Sequence, residues 1–181
     1  MLTILVPGQE LFDEKTQTFT EIPAKELRLE HSLVSLSKWE SKWKKPFLGK
    51  DEMTLEQTRD YIRCMTITQN VNPIAYQCLS AQNIEAVKAY INDSMTATWF
   101  KDNKGPTGGR GSVITAEILY WEMIELGIPF ECQTWHLNRL LTLIHVCAEK
   151  QKPSKKMSKG ATAKQNRSLN AARRARHHTR G

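Results

Sequence analysis

Near residue 31 the spacing of apolar side chains changes from two to nearly four, and that change limits the chain to a small set of folds. Upstream the pattern is strand-like. Leu2 to Val6 is a short apolar run stopped by Pro7 and Gly8. Glu10 to Asp13 and Gln17 to Ile22 flank a polar turn, Asp13 to Thr16, which predicts a hairpin with Leu11, Phe19 and Ile22 facing inward. In AKELRLE (24–30), Leu27 and Leu29 alternate with charged residues and predict a further strand. Such a meander is too small to bury its own apolar face, so it must pack on the remainder of the chain.

Downstream of residue 31 the pattern is helical. Ser32 is a suitable N-cap for a helix carrying Leu33, Val34, Leu36, Trp39 and Trp43 and ended by Pro46. Thr54 and Gln57 form a capping box for a second helix through Tyr61, Ile62 and Met65. Asn72 before Pro73 opens a short helix to Leu79. A fourth runs from Ser80 or Ala81 to Ile91, with Ile84, Val87 and Ile91 at helical spacing. KDNKGPTGGRG (101–111) reads as a surface loop. Thr115 then opens a helix with Ile118, Leu119, Met123 and Ile124, closed by Gly127 and Pro129. A last body helix over 134–150 is dense in apolar residues, Trp135, Leu137, Leu140, Leu141, Ile144 and Cys147, and is expected at the centre of the core. The predicted class is α+β and mostly α: a small N-terminal antiparallel sheet packed on a bundle of about five helices, with a basic C-terminal tail. At 181 residues the chain is long enough to bury such a core without disulfides.

Charge also divides the chain, near residue 150. Of 26 Lys and Arg residues, 11 fall between Lys150 and Gly181, where there is no Asp or Glu. Residues 1–149 hold the other 15 against all 19 acidic residues. The expected organisation is a globular body over 1–150, strand-rich in 1–30 and helical in 32–150, and a basic tail over 151–181 that is largely disordered or conditionally helical, with a candidate helix at 162–177. A tail of this kind seeks an acidic partner, nucleic acid, a membrane surface or an acidic protein face, or simply keeps the body soluble. Its candidate partner-binding residues are Lys155, Lys156, Arg173, Arg174 and Arg176.

Motifs for chemistry are missing. The four cysteines, Cys64, Cys78, Cys132 and Cys147, form no close pair, and Cys132, His136 and His145 lack the spacing of a zinc site. They read as small buried hydrophobes in a reducing compartment. Gly105 to Gly111 has glycines but no Lys-Ser/Thr of a P-loop, and Ser112 has no nucleophile elbow. His31 and His145 lie beside apolar residues and read as structural. Trp39 and Trp43, interleaved with Lys42, Lys44 and Lys45, read as core packing with snorkelling lysines. A non-enzyme without metal or cofactor is expected. No apolar run approaches the roughly 20 residues of a membrane span, and MLTILVPGQE has no signal-peptide pattern. A cytoplasmic location is expected.

Four segments carry a resemblance. LEHSLVSLSKWESKWKKPFLG (29–49), DYIRCMT (60–66), IPFECQTWHLNRLLTLIHVC (128–147) and KKMSK (155–159) resemble the tail assembly chaperone family of long-tailed actinobacterial phages, over most of residues 25 to 160. The resemblance implies a protein of the host cytoplasm that coats the tape measure protein, keeps it soluble, recruits tail tube subunits and is absent from the mature virion. It carries no catalytic or binding residue over to this chain. An acidic body and a basic tail also suit head-to-tail homo-oligomers. The alternatives are a virion structural protein, a minor tail or connector component, and a nucleic-acid-binding factor acting through the tail.

Overall fold

Pairing between distant strands sets the start of the fold in the computed structural model, which describes residues 1–13, 17–49, 52–100, 113–152 and 159–177. Strand β1 (Leu2–Val6) runs antiparallel to β4 (Lys25–Leu29), with Leu2 opposite Leu29 and Ile4 opposite Leu27. Alternation works as expected here: Ile4, Val6, Leu27 and Leu29 are buried. Strands β2 (Gln9–Asp13) and β3 (Thr18–Ile22) form a separate hairpin inserted between them, so the strands make two two-stranded sheets and no continuous meander. Residues 14–16 of the expected turn and the side chain of Leu11 lie outside the described set.

Phe19 corrects the expected hairpin face. It points to solvent, as does Phe12, its cross-strand partner, with the two rings 5.0 Å apart. Phe19 and Ile22 are three residues apart, and a two-residue period puts them on opposite faces. Ile22 takes the core. It is fixed there by the close approach of Gly8, where an added Cβ would meet the Ile22 carbonyl at 3.1 Å and the Ala24 amide nitrogen at 3.0 Å.

Helix α1 (Leu33–Trp43) begins at Ser32, whose hydroxyl accepts from the Ser35 amide in a reciprocal box. It ends at Lys44, held left-handed at φ +54°, two residues before Pro46. Helix α2 (Leu55–Met65) carries the expected Thr54–Gln57 box. Asn72 caps a 3-10 turn, Pro73–Gln77, shorter than the helix expected there. Helix α3 (Ala81–Asn92) starts at Ser80, boxed with Asn83. Helix α4 (Ala116–Glu125) closes at Gly127, whose φ of +66° suits glycine. Residues Phe130–Thr134 wind as a second 3-10 turn, so α5 (Leu137–Gln151) starts three residues later than expected. The glycine-rich stretch 101–111 lies outside the described residues.

Two apolar clusters result. The first gathers β1, β4, α2 and α3 around Leu27, Leu29, Tyr61, Ile62, Met65 and Val87. The second joins α4 and α5 through Leu119, Met123, Leu137, Leu140 and Ile144. Helix α1 belongs to both, giving Trp39 to the first and Leu33 and Leu36 to the second. The central helix is therefore α1; α5, expected at the centre, anchors only the second cluster. Cys78 and Cys132 are buried as expected, whereas Cys64 and Cys147 are half-buried; all four are free thiols. The fold class is α+β and mostly α.

The chain divides into two units, Met1–Glu149 and Lys150–Gly181. The second unit holds α6 (Lys159–His177), a helix whose described side chains are exposed.

Candidate partner interface

Among the described residues of the body, an exposed apolar surface lies on α4, because that helix is apolar on both sides. Ala116, Leu119 and Met123 turn inward and are fully buried. A rotation of 100° per residue then aims Glu117, Ile118, Trp121, Ile124 and Glu125 outward, with Trp121 at the middle of the outward arc. Trp121 is 61% exposed and Ile124 63%. Phe130, half exposed, joins this side through the 3-10 turn: its ring lies 6.3 Å from that of Tyr120, whose hydroxyl donates to Gln133 at 2.9 Å. From Val113 to Asn138 there are four glutamates, Glu117, Glu122, Glu125 and Glu131, and no Lys or Arg. One Glu122 carboxylate oxygen is buried without a hydrogen-bond partner, and burial raises that carboxyl above its ordinary range.

A buried carboxylate holds α4 in this orientation. Thr115 makes no side-chain cap. Instead Glu40 of α1 reaches across 76 residues of sequence and accepts the Ala116 amide through Oε2 at 2.7 Å. Its other oxygen, Oε1, accepts the Phe47 amide at 2.7 Å. An acceptor carboxylate at the first turn of a helix satisfies an otherwise orphaned donor and meets the positive end of the helix dipole.

The remaining polar clusters are held by contacts within the fold. His31 is buried, with Nδ1 2.5 Å from the Tyr61 hydroxyl and its ring 5.0 Å from that of His136. Burial first, and then His136, push the His31 pKa down to about 3, so it is neutral at physiological pH. Burial also raises the Tyr61 phenol, keeping its proton. His136 sits 3.0 Å from the Tyr90 carbonyl and is likewise lowered, chiefly by burial. His145 is half-buried, its ring tilted against that of Phe100 with centroids 3.8 Å apart, and it lies 3.6 Å from Glu149. Asp60 receives Lys42 Nζ at 2.7 Å, Trp43 Nε1 at 2.8 Å and Arg63 Nε at 2.9 Å. Burial would raise its carboxyl; the three donors outweigh that and lower it. Trp39 is buried with its indole N–H on the Gln57 carbonyl, and the expected core role of this tryptophan pair stands. Beside Asp60 opens a shallow cavity of about 240 Å³ lined by Lys42, Arg59, Arg63 and Tyr76. Among the described residues no group of His, Cys, Asp or Glu is arranged to hold a metal ion, and no helix is long and apolar enough to cross a membrane.

Of the candidate tail residues, Arg173, Arg174 and Arg176 are exposed near the end of α6, while Lys155 and Lys156 lie outside the described residues. Within α6, Leu169, Arg173 and Arg176 share one stripe at i, i+4 and i+7, and Arg174 falls on another. The sequence pattern points to the tail but not to the α4 face. The signal was present in the run of 113–138 without a basic residue and in a helix whose apolar residues exceed one stripe. Comparison with protein-family models, with curated proteins and with solved structures finds no match to this chain.

Proposed function

We propose that this protein is a tail assembly chaperone that holds amphipathic helix of a tape measure protein on the outward face of α4 and helps recruit tail tube subunits. The observation that carries the reading is the exposed row of Ile118, Trp121 and Ile124 between Glu117 and Glu125. An exposed tryptophan between aliphatic residues on a helix face is the kind of surface that packs against the apolar side of another helix, and acidic neighbours favour a client with basic flanks. The likeness of residues 29–49, 60–66 and 128–147 to that family supports the same reading. The protein acts by binding, without catalysis, and leaves before the virion is complete.

Co-expression with the tape measure protein tests this. Wild-type protein should keep the tape measure soluble, and Trp121→Glu should leave it in the pellet while the variant itself stays folded. Equal rescue by both proteins would remove α4 as the client site. Mass spectrometry of purified particles should find the protein missing; its presence would favour a virion component. The exposed arginines of α6 favour a second reading, nucleic-acid binding, and a gel shift with and without residues 151–181 tests it.

A further inference from the structure

We infer that the outward face of α4 receives helix α6 of a second copy of this chain, forming a head-to-tail contact between protomers. It rests on reading α4 as a docking face and not on the identity of the client. Three features match. First, charge: the segment 113–138 has four glutamates and no basic residue, whereas 150–181 has 11 basic residues and no acidic one. Second, spacing: Leu169, Arg173 and Arg176 form a stripe of one apolar side chain followed by two guanidiniums. The α4 stripe has Trp121 flanked four residues away on each side by Glu117 and Glu125. Leu169 fits beside Trp121 and Ile124, and Arg173, four residues on, then meets the glutamate four residues from Trp121 on that side in the planar, two-pronged geometry that guanidinium and carboxylate share, with Arg176 adding positive charge at the same end. Third, exposure: Leu169 is 48% exposed, and Trp121 and Ile124 are 61% and 63% exposed. A contact between two different surfaces does not close on itself, so it builds open chains of copies. A client helix with basic flanks would compete for the same face and break those chains.

Sedimentation velocity over a wide concentration series tests this with the full chain. The wild type should gain mass with concentration, and less so as salt rises. Trp121→Glu should remain a monomer. Replacing Arg173 and Arg176 together by Glu should weaken association by roughly tenfold or more, because like charges then face each other. Arg174→Glu, on the other stripe, should associate like the wild type. A body variant, Glu117→Arg with Glu125→Arg, should fail alone and recover when mixed with the Arg173→Glu, Arg176→Glu chain. Circular dichroism checks that each variant is folded. The inference is overturned if the wild type stays monomeric throughout, if Arg174→Glu is as damaging as the double change, or if the Arg173, Arg176 variant loses only heparin binding. Monomeric wild type that still captures tape measure through Trp121 would end this inference and leave the client reading standing. Self-association without any client capture would do the reverse.

Discussion

His31 is neutral because the fold surrounds it with Tyr61, Phe47 and His136 and keeps water out. Its folded pKa of about 3 lies below the 6.5 of an unfolded histidine, so the unfolded chain binds the extra proton first. Stability is therefore full above pH 6.5 and falls as pH drops through the window down to about 3. The slope is up to about 1.4 kcal/mol per pH unit for each such histidine, and His136 adds in the same direction. Urea melts across this range should show that slope, and His31→Asn should flatten it; a wild type with constant stability there would mean that His31 is charged in the fold. Glu40 makes a second residue-scale case. Glu40→Ala should cost about 1–3 kcal/mol, because the Ala116 and Phe47 amides lose a buried acceptor. A neutral result in thermal unfolding would show that water replaces it. Glu40 was not legible in sequence, since the Ala116 amide it accepts lies 76 residues away, and of the three donors to Asp60 only Arg63, three residues on, is local.

Elements were readable where their determinants are local. Ser32, Thr54, Asn72 and Ser80 all cap as expected, because an N-cap involves only the next three residues. Strand pairing was not, since β1 finds β4 across an inserted hairpin and two-residue alternation fixes a face without naming a partner. Residues 134–136 were absorbed into α5, which starts at Leu137, because the 3-10 turn Phe130–Thr134 leads into it with nearly the same apolar spacing. Helix α4 was hardest to orient: with apolar residues all round, periodicity does not tell the side facing Met123 from the side facing Trp121. Paired substitutions separate them. Leu140→Ala, in α5 and fully buried, should cost about 2–5 kcal/mol through the cavity it leaves. Trp121→Ala should change stability by no more than about 0.5 kcal/mol, as for other exposed positions, while reducing partner binding. Comparable losses from both in chemical denaturation would place Trp121 in the core.

On the scale of the molecule, a mildly acidic body and a basic tail coexist in one chain with a net charge of +7. Leu169 is the one large apolar residue among the described residues of the tail unit, which leaves little for the tail to contribute to a core. Truncation after Lys150 should leave a cooperative domain with a Tm close to that of the full chain, and loss of cooperative unfolding would show that the tail is part of the core. The proposed function depends above all on where a helical client sits. Hydrogen exchange of the full chain, alone and bound to tape measure helix, measures that directly. Exchange should slow over Ala116–Glu125 and the 3-10 turn beyond it, with little change in α2 and α3. Unchanged exchange in α4, with protection instead at the β2–β3 hairpin where Phe12 and Phe19 are exposed, would contradict it.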